Sequence, residues 1–232
     1  MDVGGETRAI ALDISKALDK VWHAGLIHKL KAYGVGGCML SIISSFLQER
    51  TMKVVLDGQT SASYVINAGV PQGSVLGRTL FLVFTNDLPN GALSRSGIYA
   101  DDTTTYSSIK TSDSFDRLES AAELEFDLRS FVEWGEKWLV PFNASKTKLL
   151  SFNRHRDYST IPVNMNGIEL AESASFRLLG LTFTPKLDWK PYIQSIAKQA
   201  SQRVGSLYRS QRFLTPETIL LLYVFNEINI SR

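Results

Sequence analysis

Cysteine is almost missing from this chain of 232 residues. Cys38 stands alone, so no internal disulfide forms, and with three scattered histidines it offers no zinc set. No stretch approaches the roughly 20 apolar residues of a membrane span. No basic-then-apolar leader opens the chain, so the sequence predicts an intracellular protein, neither secreted nor membrane-bound, with nothing to divide nucleus from cytoplasm. Internal repeats and low-complexity tracts are lacking too, which argues against a solenoid or a disordered chain. What remains is ordinary globular material: at 44% apolar residues, one domain, or one with a small appendage, buries a substantial core.

A net charge of +2 conceals segregation. Between Asp113 and Glu136 stand eight acids (Asp113, Asp116, Glu119, Glu123, Glu125, Asp127, Glu133, Glu136) and two bases, Arg117 and Arg129. Between Lys186 and Arg212 stand six bases (Lys186, Lys190, Lys198, Arg203, Arg209, Arg212) and only Asp188. A phosphate backbone is repelled by the first segment and attracted by the second. Two solvated helix faces of opposite sign would look the same.

The hydrophobic pattern predicts a strand ending at Asp13, then a helix with Leu18, Val21, Trp22, Leu26, Ile27 and Leu30 inward and Gly34 near its stop. A second helix over Met39 to Gln48 buries Ile42, Ile43, Phe46 and Leu47. A hairpin over Met52 to Ile66 turns at Asp57-Gly58. After a loop at Gly69 to Gly73, Ser74 caps a helix carrying Leu76, Leu80, Phe81 and Phe84. A long acidic helix turns Phe115, Leu118, Ala122, Leu128, Phe131 and Trp138 inward. Lys148 to Phe152 is a strand, Val163 to Leu170 a hairpin about Asn166-Gly167, and Phe176 to Phe183 the last strand. Trp189, Tyr192, Ile193, Ile196, Ala200, Val204, Leu207 and Tyr208 form a helical stripe, and a final helix starts at Thr215-Pro216. The class expected is α+β, a small antiparallel sheet of three to four strands backed by helices.

Chemistry concentrates at Tyr99-Ala100-Asp101-Asp102. Adjacent strand residues point to opposite faces, so two neighbouring carboxylates serve one site only where the chain turns. Gly97-Ile98-Tyr99 and Thr103 to Tyr106 read as the two strands flanking such a turn. Alone, an Asp pair at a hairpin tip is an ordinary turn. A third acid, Asp13, closes the apolar run Ala9-Ile10-Ala11-Leu12. Three carboxylates brought together raise one another's pKa unless divalent cations sit between them. Few, hard oxygen ligands suit Mg²⁺, and two such ions serve an in-line phosphoryl displacement.

In order along the chain, five segments resemble the motifs of the reverse transcriptases of non-LTR (LINE-like) retrotransposons. They are Ala11 to His23, Gly69 to Gly77, Tyr99 to Asp102, Asn143 to Lys148 and Arg177 to Leu181. The resemblance runs from about Arg8 to about Tyr223. It implies a palm at residues 1–184, a truncated helical thumb at 185–232, and fingers largely absent, because only twelve residues precede Asp13. It implies RNA-directed DNA synthesis on an RNA template and DNA primer from dNTPs, with two Mg²⁺ ions, Mn²⁺ being the alternative.

By the same resemblance Asp13, Asp101 and Asp102 are catalytic and metal-binding, with the Ile14 carbonyl as a further metal ligand. Leu18, Gln72, Gly73 and Lys146 contact nucleotide or template, and Arg177 to Leu181 matches the segment that grips the primer. Lys186, Lys190, Lys198 and Arg203 ride on the nucleic-acid backbone. Two positions depart from the family: Leu18 stands where an aromatic usually excludes a 2′ hydroxyl, and Arg78 where Pro usually follows Gly77. Residues Phe225 to Arg232 do not continue the family pattern. Two readings follow: a polymerase whose fingers and endonuclease belong to a longer element product, or an inactive retroelement remnant that binds nucleic acid weakly.

Overall fold

The computed structural model describes residues 5–14, 16–109, 113–153, 161–210, 213–218 and 220–221. Ser15, Arg212 and the unusual terminal segment from Phe225 lie outside them.

Strand β1 (Glu6–Leu12) leads through a 3-10 turn at Ala17–Asp19 into α1 (His23–Ala32), followed by α2 (Gly37–Leu47). A ribbon of β2 (Arg50–Met52), β3 (Val55–Leu56), β4 (Gln59–Thr60) and β5 (Tyr64–Ile66) turns at Asp57-Gly58. Helix α3 (Val75–Thr85) begins at Ser74, whose Oγ accepts the Gly77 N–H at 2.9 Å. Then come β6 (Arg95–Tyr99), β7 (Asp102–Ile109), the 25-residue α4 (Ser114–Trp138) and β8 (Lys148–Phe152). Two small hairpins, β9–β10 (Asn164–Met165, Ile168–Glu169) and β11–β12 (Phe176–Leu178, Leu181–Phe183), precede α5 (Lys190–Ser210). Beyond it residues 216–218 are helical, with the Thr218 N–H reaching Thr215 Oγ1 at 3.4 Å, as the capping Thr predicts. Among the described residues no helix is long and apolar enough to cross a membrane.

The central sheet is antiparallel throughout, in the order β6-β7-β1-β8. Its pleat sorts β1 cleanly. Ile10 and Leu12 turn to one face, where Leu124, Leu128 and Phe131 of α4 seal the core, while Ala9 and Ala11 turn to the other, toward Tyr106, Phe176 and Phe183. A second core joins α1, α2 and α3 through Leu26, Leu30, Leu47, Leu80 and Phe84. This is the expected α+β architecture.

Four expectations fail. The helix after Asp13 is broken at Lys20, and Trp22 is 39% exposed because it bridges Ala68 before the helix begins. Ile42 points outward from α2. In α4 Phe115, Leu118 and Ala122 face solvent, while Ser120, Ala121, Leu124 and Asp127 face the core. A carboxylate lies on the inner face because the Leu93 and Ser94 N–H groups donate to it at 2.7 and 2.9 Å. Finally, Phe176 to Phe183 is a hairpin, not one strand: Leu179 and Gly180 both take positive φ (48° and 82°) and reverse the chain.

Candidate active site

The hydrogen-bond register brings the ends of β1 and β7, and with them Asp13 and Asp102, next to each other. Leu12 pairs with Thr103, so the ladder continued by one pair sets Asp13, just past β1, opposite Asp102, the first residue of β7. Directly opposed residues share a face. That face is the one carrying Ala9, Ala11, Thr104 and Tyr106, away from α4. Tyr99 pairs with Asp102 across β6–β7, leaving Ala100 and Asp101 as a two-residue loop. Ala100 turns the chain at φ 55°, a left-handed conformation that costs a non-glycine residue about 1–2 kcal/mol. The turn required to bring adjacent carboxylates to one site is therefore present, and it is strained.

The electrostatics agree with the register. Partial burial first, and then the charges of Asp101 and Asp13, push the Asp102 carboxyl above the usual carboxylate range. Asp13 Oδ2 is buried without a hydrogen-bond partner, with Lys146 Nζ at 3.8 Å. Lys146 is held there by backbone. The Asn143 N–H donates to the Asp13 carbonyl at 3.0 Å, Ile14 bridges Phe142, and Asn143 Oδ1 accepts from Ser145 N–H and Oγ. Among the described residues no three acidic, histidine or cysteine side chains come together as a group that could hold a metal ion, so Asp13, Asp101 and Asp102 are neighbours without forming a closed ligand set. Mutually repelling carboxylates with an orphaned buried oxygen still fit a hard cation that keeps water and takes further oxygens from its substrate.

Two grooves flank the hairpin tip. One, of about 430 Å³, runs between Asp102, Tyr99 and Tyr106 on the sheet and Leu178, Leu179 and Phe183 of the β11–β12 hairpin. The other, of about 460 Å³, is walled by Leu18, Phe81, Leu82, Ile98 and Tyr99, with Ala100, Asp101 and Arg78 completing it. Leu18 thus lines the same groove as Asp101.

Gln72 and Gly73 belong to a loop tied to the 3-10 turn. Gly69 N–H donates to the Val21 carbonyl and Val70 N–H to that of Leu18, both at 2.8 Å. A Cβ on Gly69 would lie 2.8 Å from Asp19 Cα, and φ is +84°, so only glycine fits this approach. Gln72 Nε2 donates to Asp19 Oδ1 at 2.9 Å, a partner that no spacing rule in the sequence indicated. Gly73, also left-handed, has open space beside its Cα. Lys186, Lys190 and Lys198 are exposed and Arg203 half-buried, spread along the approach to α5 and the helix itself.

Residues 1–183 match the family model described as reverse transcriptase (RNA-dependent DNA polymerase). Curated relatives include the RNA-directed DNA polymerase from mobile element jockey of Drosophila melanogaster, 35% identical over 204 residues, covering 84% of this chain and 22% of that protein. Another is the probable RNA-directed DNA polymerase from transposon BS of the same organism, 31% identical over 214 residues, covering 86% and 22%. The chain spans about a fifth of the length of these relatives, 22%. Among solved structures, telomerase from Candida Tropicalis in complex with a TWJ fragment of telomeric RNA aligns with TM-score 0.51 at 13% identity, over 80% of this chain and 30% of that one. At that identity the likeness is one of fold.

Proposed function

The chain belongs to the reverse transcriptase family of RNA-dependent DNA polymerases, and from that premise we propose that it is the palm and thumb of a retrotransposon polymerase that copies RNA into DNA. Its substrates are an RNA template, a DNA primer and dNTPs, which set its work inside the cell. The palm is residues 1–184, and residues 185–232 are the start of the thumb. Other parts of a longer element product, fingers and endonuclease, are its partners.

Asp13, Asp101 and Asp102, with the Ile14 carbonyl, would hold two Mg²⁺ ions, or Mn²⁺, whose charge when bound favours the primer 3′ oxygen as nucleophile and pyrophosphate as leaving group. Lys146 keeps an ammonium beside the acids, where charge on the departing pyrophosphate develops. Gln72, oriented by Asp19, and Gly73, with its open Cα, line the approach of template and nucleotide. Leu18 meets the sugar in the groove it shares with Asp101. Lys186, Lys190, Lys198 and Arg203 offer charge to the backbone of the template–primer duplex.

The observation that carries this reading is the β1–β7 register, whose last pair Leu12–Thr103 sets Asp13 next to Asp102 at a strained turn bearing Asp101. It is tested by primer extension on an RNA template with the whole chain, alone and with the fingers region supplied in trans, with Mg²⁺ and with chelator. Metal-dependent extension that Asp101→Asn abolishes, with the fold intact by circular dichroism, is expected. Extension undiminished in Asp101→Asn would sink the assignment. Duplex binding without any extension, even with the fingers supplied in trans, would mark the remnant, a reading that Leu18 in place of an aromatic favours.

A further inference from the structure

Arg78 entered the sequence as a departure, a cation where the family usually has Pro. The structure gives it an address. It is exposed on the first turn of α3 and lines the 460 Å³ groove that ends at Asp101. The other walls, Leu18, Phe81, Leu82, Ile98 and Tyr99, are apolar or aromatic. Arg78 is the sole cation among the lining residues and Asp101 the sole anion, yet no ion pair joins them. Among the described residues the guanidinium has no hydrogen-bond or ion-pair partner at all.

A groove with apolar and aromatic walls and one unpaired guanidinium has the chemistry of a nucleotide unit, whose base is apolar on its faces and whose phosphate is anionic. A guanidinium presents planar, paired donors that match phosphate oxygens. A proline at this position has neither charge nor donor. We propose that Arg78 is a phosphate-binding residue of this groove, a contact this chain adds beside its acids. The inference rests on the polymerase reading and adds to it a named residue.

The phosphate has two sources, a strand of the template–primer duplex or the triphosphate of a dNTP. Binding of a labelled RNA–DNA primer–template by the wild-type chain, Arg78→Lys and Arg78→Ala is measured from 50 to 300 mM salt, and dNTP uptake by the protein–duplex complex with Mg²⁺ by equilibrium dialysis. Alanine is the best helix former, so Arg78→Ala leaves α3 intact, as circular dichroism verifies. For a strand phosphate, the slope of log K against log salt becomes shallower by about 0.9 in Arg78→Ala, while Arg78→Lys keeps the wild-type slope. For a triphosphate, the slope holds and dNTP affinity falls about tenfold, the loss expected of one charge-assisted hydrogen bond. Wild-type binding that Arg78→Ala alters in neither arm overturns the inference alone. A wild-type chain that binds neither ligand overturns it together with the reading beneath it.

Discussion

Helices α4 and α5 carry comparable apolar stripes and meet opposite fates. In α4, Leu124, Leu128 and Phe131 are sealed against β1 and β8. In α5 no residue is buried, and Ile193, Val204 and Tyr208 stand more than half exposed. Helical periodicity states which residues share a face; it does not state that anything lies opposite. Even α4 makes the point. Phe115, Leu118, Ala122 and Phe126 fall within roughly 80° of arc at 100° per residue, yet that second stripe faces water, on the side opposite the core. The palm closes on itself, whereas α5 is joined to it through the edge-to-face contacts of Phe183, Trp189 and Tyr192 at its start.

If that contrast is energetic and not only geometric, truncation on the two helices should differ by an order of magnitude. Phe131→Ala removes a fully buried ring beside Leu128 and should cost about 4 kcal/mol of stability in urea unfolding. A loss below about 1 kcal/mol would mean that the site collapses freely and that the palm core is no better packed than the thumb.

The cations divide in the same way. Those of α5 are mostly solvated, whereas Lys29 of α1 is buried against the inner end of α4. Its ammonium lies 3.8 Å from the Trp138 ring centroid and 4.7 Å from that of Trp134, donates to the Phe84 carbonyl at 2.7 Å, and pairs with Asp87, which also accepts from Trp134 Nε1. Lys29→Ala and Lys29→Met both strand Asp87 and each should cost about 3 kcal/mol or more, with Met the milder of the two because it keeps much of the packing. Burial holds the Lys29 pKa below the ordinary 10.5, an effect only partly offset by Asp87. Between the two pKa values the unfolded chain binds a proton that the folded chain lacks, so this group makes stability rise with pH toward 10.5. Urea unfolding from pH 8 to 10.5 should show that rise in the wild type and a flatter profile in Lys29→Met; identical profiles would exclude the buried ammonium as its source.

The contrast also explains what could be read without coordinates. Turns whose residues tolerate positive φ were legible: Asp57-Gly58 and Asn166-Gly167 both reverse the chain as predicted. Leu179-Gly180 was not, because leucine carries no turn signal and its left-handed conformation is imposed by the hairpin packed over Tyr106 and Phe152. The Ser74 cap was legible from one side chain. The inner phase of α4 was not, since it depends on Asp127 accepting two N–H groups from a loop about 34 residues away in sequence. At the site, residue order indicated Asp13, Asp101, Asp102 and Lys146. Their convergence needed the β1–β7 register, and the Gln72–Asp19 bond needed the loop packed against the 3-10 turn.

The smallest effect is also the sharpest test of the comparison. Ile196 sits mid-stripe on α5, 43% exposed. Truncating it removes little area from contact with the protein, and alanine is the better helix former, so Ile196→Ala should change global stability by less than about 0.5 kcal/mol. Hydrogen exchange should agree: amides in the middle of α5 should exchange through local opening far below the global unfolding energy, while those near Leu128 require that full energy. Equal protection of the two helices in the isolated chain, or a cost at Ile196 approaching that at Phe131, would mean that the α5 stripe is covered in solution and that the two helices are not opposites after all. Protection confined to α4 would fix the boundary of cooperative folding between the β11–β12 hairpin and α5, the boundary proposed for palm and thumb.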